Sequence, residues 1–187
     1  MAPQKPLRDW LYLAMTAAQI SGSLFLDLVP FYPRPLWHPP WSALHFLVTL
    51  RSAYTNFTKD PYFPPLSSPS IPAYPAAQAW FLAFLYIKAF VNLPLCLYLS
   101  RRLGTSKTSG PVEIASLVLA CISAMGATTC CVDLWHMGPN KLSPSKKPLL
   151  IYGVYMPFAI IPAMMAVDMS LRLLARVQRV QEKSKRQ

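Results

Sequence analysis

Four long apolar stretches set the pattern of this chain. Trp10 to Leu26 carries no charge, and its helix is predicted to run past Asp27 to Val29. Gln78 to Ser100 is interrupted only by Lys88, while Ile114 to Val132 and Leu149 to Val167 are uncharged. A helix needs about 20 apolar residues to cross the hydrocarbon core of a bilayer, so each stretch is long enough to span. The pattern predicts spans at about 10–29, 78–100, 114–135 and 149–171, in a single domain over 1–187. The fold class is all-α: a polytopic membrane protein with a four-transmembrane-helix bundle and an intramembrane ligand cavity. Trp10, Trp80 and Trp135 fall near span ends, where amphipathic rings meet the headgroups. A cleaved signal peptide ending at Ser21-Gly22-Ser23 is the rival reading of the first stretch. The apolar run continues through Leu24 and Phe25, which favours a span.

Between the first two spans lies a proline-rich loop, 30–77. Proline excludes continuous helix from most of it, but none occurs between Trp41 and Phe57. There Trp41, Leu44, Val48 and Phe57 recur near helical spacing with His45, Arg51 and Asn56 between them. This predicts a short amphipathic helix on the lumenal membrane surface. His38 and His45 have no acidic partner nearby and are expected at the surface.

Composition supports the membrane class. Only 13% of residues are charged and 53% are hydrophobic, against about 25% charged in a soluble domain. The net charge of +11 does not indicate nucleic acid, because Lys and Arg sit in short tracts flanking the apolar runs. Their distribution is a topology signal. Eleven fall on the side of the N-terminus, the second loop and the basic tail 172–187, against six in the first and third loops. Both termini are therefore expected in the cytosol. Lys183-Ser184-Lys185-Arg186-Gln187 has the form of a retrieval signal for the endoplasmic reticulum or, more plainly, of a basic tail drawn to anionic lipid. The four cysteines show no metal-ligand spacing and are expected to pack as small hydrophobes. No P-loop, dinucleotide fingerprint or nucleophile elbow appears, so neither a metal nor another cofactor is expected.

A charge within a membrane span is costly, and therefore a functional candidate. Lys88 lies near the middle of the second span, Asp27 near the end of the first, and Asp133 near the end of the third. Asp168 and Arg172 are four apart on the fourth and form a helix pair. Two readings of Lys88 stay open: a structural ion pair with Asp27 across the bundle, or a pocket residue meeting a polar group of a lipid-like ligand. Phe84 and Asn92 share its helix face. Pro94, Pro157 and Pro162 interrupt the second and fourth spans, and Tyr155 precedes Pro157. Such breaks are tolerated where a cavity or a neighbour satisfies the freed backbone.

Several short motifs, in order, resemble the sigma-2 receptor branch of the EXPERA-domain membrane proteins, relatives of the emopamil-binding sterol isomerase. They are Leu24-Phe25-Leu26-Asp27-Leu28, Lys59-Asp60-Pro61, Ala79-Trp80-Phe81, Asn92-Leu93-Pro94, Val154-Tyr155-Met156-Pro157-Phe158 and Ile161-Pro162. The segment Pro64 to Pro75 and the third loop match least. The resemblance implies an endoplasmic-reticulum bundle, often a homodimer, whose cavity opens to the bilayer and takes sterols or cationic amines. It makes Asp27 the family's pocket aspartate and Asp60 a loop aspartate that holds structure. Lys88 stands where the family has a glutamate, and Gln19 where sigma-2 receptors tend to have histidine.

The expected ligand-binding residues are Gln19, Asp27, Phe84, Lys88, Asn92 and Tyr155, with Asp60, Pro94 and Pro157 structural. The expected partners are a hydrophobic small molecule, sterol or terpenoid-like, and the lipid bilayer. A lysine beside an aspartate neutralises it, which counts against cationic amines and against isomerase chemistry of the family type. The leading function is therefore binding of a sterol or similar hydrophobic molecule. The alternative is a membrane isomerase or cyclase acting on a sterol, terpenoid or polyketide, with Asp27 and Lys88 as its catalytic acid–base pair. A structural partner or chaperone for a larger membrane protein is the third reading.

Overall fold

The computed structural model describes residues 7–63, 79–103 and 109–185. The prolines from Pro64 to Pro75, Lys5, Lys107 and the last two residues of the tail lie outside the described residues. Within them the protein is all-helical, without a strand. Helix α1 covers Leu7–Gly22 and widens into a π turn at Ser23–Asp27. A 3₁₀ turn at Val29–Phe31, the short helix α2 (Arg34–Trp37) and α3 (His45–Thr58) follow. Helix α4 (Ala79–Ile87) passes through a π turn at Lys88–Asn92 into α5 (Leu93–Leu103). After α6 (Gly110–His136), a π turn at Leu149–Tyr155 leads into α7 (Met156–Lys185).

Three of these helices are long and apolar enough to cross a membrane: Ala79–Leu103, Gly110–His136 and Leu149–Lys185. Helix α1 with its π turn carries Arg8, Asp9, Gln19 and Asp27 and is not among them. It nevertheless packs inside the same bundle, along α5 and against α7, while α6 lies along α7. The exterior is apolar: Phe90, Ile114, Met125, Ile160 and Val167 are all exposed. The interior holds Thr16, Gln19, Asp27, Asn92 and Ser116. Polar groups inside and hydrocarbon outside is the arrangement a lipid solvent favours.

Each π turn closes next to a proline. The N–H groups of Leu28, Leu93 and Met156 bond the carbonyls of Ser23, Lys88 and Ile151, five residues back. Pro30 lies two residues beyond the first closure, and Pro94 and Pro157 directly follow the other two. A proline offers no N–H and its ring pushes away the carbonyl four residues earlier. Where the sequence suggests open kinks, the helices instead take one wide turn and keep their hydrogen bonds.

The short helix expected in the first loop is α3, which buries Leu47, Arg51, Thr55 and Thr58, whereas Phe46, Leu50 and Phe57 point outward and Trp41 precedes the helix, 87% exposed. Arg51 is fully buried. Its Nη1 donates to the Leu26 carbonyl at 2.7 Å and its guanidinium lies over the Phe63 ring. The π turn delivers that carbonyl to α3, and a guanidinium is long enough to meet it. His45 is half-buried, its Nδ1 3.2 Å from the Trp37 carbonyl, rather than a surface residue; His38 is exposed. At the other end, the tail expected to begin at 172 continues α7 as helix to Lys185.

A candidate intramembrane cavity

Between the π turns the helices do not close completely. They leave a cavity of about 310 Å³, lined by every long segment of the bundle. Its walls are largely aromatic and aliphatic, with Phe81, Phe84, Leu85, Val154 and Phe158 prominent. Gly22 and Gly126 also line it. A Cβ added at Gly22 would meet nothing within 4 Å, whereas one at Gly126 would touch the Phe84 ring at 3.5 Å.

The six predicted pocket residues, Gln19, Asp27, Phe84, Lys88, Asn92 and Tyr155, all face this one cavity. Lys88 forms a salt bridge with Asp27 across the gap between α1 and the second apolar helix. The two partners are unequally covered: the Asp27 side chain is 8% exposed and that of Lys88 35%. The Asp27 Oδ2 that meets the ammonium is itself buried.

Farther along α1, Gln19 gathers a second polar group. Its Oε1 accepts from Ser123 Oγ at 3.2 Å, from Asn92 Nδ2 at 3.4 Å and from Cys96 Sγ at 3.4 Å. Asn92 also lies within 3.5 Å of the Ser123 hydroxyl through its Oδ1. Ser123 is a participant that sequence reasoning missed, since a serine in an apolar run carries no signal of which neighbour it meets.

Asp60 lies behind Tyr54 and Tyr155, which line the cavity. It is 3% exposed and accepts the Tyr54 and Tyr155 hydroxyls, each at 2.8 Å, and the Tyr62 N–H at 3.0 Å. Burial pushes its carboxyl above the usual carboxylate range, against the pull of those three hydrogen bonds. Lys59, at φ 55°, gives α3 a left-handed end and turns the chain back so that Asp60 points inward. Tyr62, fully buried, stacks on Phe81 and donates to Asp133 on α6. Asp60 and Asp133 thus tie the first loop to α6 and α7. Pro94 and Pro157 line no part of the cavity; they shape its walls through the π turns beside them.

The charged residues at the far end of the bundle form a separate network. Arg172 on α7 meets Asp9 on α1 at 2.6 Å and Asp168 at 2.7 Å, and Arg8 meets Asp168 at 2.7 Å. Arg176 grips Glu113 with two bonds, 2.7 and 2.8 Å, although Glu113 is only 2% exposed. Among the described residues no cluster of His, Cys, Asp and Glu is arranged to hold a metal ion, and the four cysteines are free.

A membrane-embedded helical bundle around an aromatic cavity with a few inward polar groups is a recurrent small-molecule site. Residues 46–169 match the profile of the EXPERA (EXPanded EBP superfamily) family, and the chain belongs to that family. It is also similar to the efficient mitochondria targeting-associated protein 19 of Schizosaccharomyces pombe. The two are 27% identical over 167 residues, covering 89% of this chain and 76% of the yeast protein. Family membership marks the chain as a membrane protein of a sterol-related superfamily.

Proposed function

We propose that this is a four-span protein of the endoplasmic-reticulum membrane, sigma-2-receptor-like, that holds a sterol or similar hydrophobic molecule in its cavity. The observation that carries the reading is the cavity itself, 310 Å³ of aromatic-walled space with a neutralised charge pair in its wall. Helix α1 serves as the fourth span: Asp9, Thr16, Gln19, Ser23 and Asp27 face inward, and its apolar residues Trp10, Leu11 and Phe25 face outward. Both termini are cytosolic in this reading, because the basic tracts favour that side. A bundle acting only as a structural partner or chaperone for a larger membrane protein has no need of such a cavity.

A second reading, an isomerase or cyclase, draws on the contact between Asp27 and Lys88 inside the cavity. Here the pair would act as acid and base on a lipid-soluble substrate. Mass spectrometry of the lipid extract from purified protein tests both readings. The wild type should retain a discrete hydrophobic molecule in near-stoichiometric amount. Gly22→Phe, which fills open space at the wall, should fold and lose it. Identical extracts from the two proteins would refute the cavity as the binding site. An isomerised or cyclised product recovered after adding the extracted molecule back would favour the enzyme.

A further inference from the structure

Two of the strongest acceptors on the cavity wall, Asp27 Oδ2 and Gln19 Oε1, are already engaged, while the Lys88 ammonium brings donors. Asp27 is the cavity's membrane-depth carboxylate, and its Oδ2 is covered by Lys88. Both members of that ion pair line the cavity, and the lysine is the less covered of the two, 35% exposed against 8%. An ammonium has three N–H donors and no acceptor, and among the described residues Asp27 is the side chain it pairs with. Gln19 repeats the pattern: its Oε1 is occupied by Ser123, Asn92 and Cys96, so what remains is its amide N–H₂. Asp60 lies behind the Tyr54 and Tyr155 hydroxyls that donate to it.

A cationic amine entering this space would approach a cation and a carboxylate already neutralised by it. A carboxylate ligand would leave two anions against one cation in a medium of low dielectric, which is also unfavourable. A neutral oxygen acceptor satisfies the spare N–H groups without adding charge. We infer that the cavity selects a neutral, lipid-soluble molecule with an oxygen, a ketone being the simplest case, that accepts a hydrogen bond from the Lys88 ammonium, and that it discriminates against cationic amines. This inference rests on the reading that the cavity holds a sterol-like molecule.

The test uses three probes with one hydrocarbon frame: 5α-cholestan-3-one, the corresponding 3β-amine, and 5α-cholestane without a polar group. Each is titrated against the detergent-purified full chain, with binding read by native mass spectrometry. A hydrogen bond to a charged donor is worth about tenfold in affinity or more, so the ketone should bind at least about tenfold tighter than the hydrocarbon. The amine should bind more weakly than either. Lys88→Arg, which keeps charge and donors, should preserve that order. Lys88→Met should bring the ketone down to the level of the hydrocarbon and release the amine to bind at Asp27. If Lys88→Met does not fold, the wild type and Lys88→Arg still decide. Ketone and hydrocarbon binding equally, or the amine binding best to the wild type, would overturn the inference while leaving a sterol-like ligand in place. No binding by any of the three would remove both.

Discussion

Removing one member of the Asp27–Lys88 pair should cost more than removing both. Lys88→Met leaves a carboxylate that is 8% exposed with its cation gone. Orphaning a buried ion costs about 3–5 kcal/mol in soluble proteins. Here Lys88 is about one-third exposed and the cavity can admit water to Asp27, so about 2–3 kcal/mol is the reasonable scale. For a chain of this length each kcal/mol moves the melting temperature by roughly 2–4 °C, which makes the expected drop roughly 4–12 °C. Asp27→Asn should fall in the same direction by less, because the lysine it strands can lose its proton. The double variant should recover half or more of the larger loss, since it leaves no stranded charge. Thermal unfolding of the four proteins in one detergent, at one scan rate, yields the coupling directly. Single effects that add within about 0.5 kcal/mol would show that the pair is not energetically coupled, and the argument from unequal cover would fall with it.

Three other outcomes follow from the geometry. Arg51→Met should destabilise the protein by about 2–3 kcal/mol by stranding the Leu26 carbonyl, and Arg51→Lys should restore only part of it, as thermal unfolding would report. The raised carboxyl of Asp60 binds its proton more tightly in the folded chain than in the unfolded one. Its contribution is therefore most favourable at low pH and declines as pH climbs from the ordinary carboxylate value of 3.8 through the raised one. Asp60→Asn should remove that decline, so the melting-temperature difference between variant and wild type should change across this window and be flat above it. A glycosylation tag fused after Gln187 should stay unmodified in cells if the tail is cytosolic; a modified tag would invert the proposed topology.

Much of the bundle is legible in the chain, because apolar runs of span length have few other uses. The cavity residues are legible for a related reason. A charge such as Lys88 or Asp27 within a span must turn inward and find its opposite, and helical spacing then brings Phe84 and Asn92 to the same face. Arg51 escapes this logic. The spacing of Trp41, Leu44 and Val48 predicts an amphipathic helix but not the arginine's partners, because the Leu26 carbonyl and the Phe63 ring that receive it come from other segments. The partners of Gln19 are hidden for a different reason: Ser123 and Cys96 look like filler until three helices meet. The prolines give warning of a break but not of its form, since a π turn and a kink leave the same mark on a sequence.

The arginines that tie α1, α6 and α7 together have one more consequence. On the proposed orientation, Arg8, Arg172 and Arg176 belong to the basic tracts that keep their side in the cytosol during insertion. That selection acts on a nascent chain, before the helices have met, and any positive charge satisfies it. Once the bundle assembles, the same three side chains are spent as latches on Asp9, Asp168 and Glu113. Lysine would serve the first task as well as arginine. It could not reproduce the two-pronged grip of Arg176 on Glu113, because its single ammonium lacks the flat fork that engages both carboxylate oxygens. The choice of arginine at these positions thus reflects the assembled protein, while its charge alone reflects the journey into the membrane.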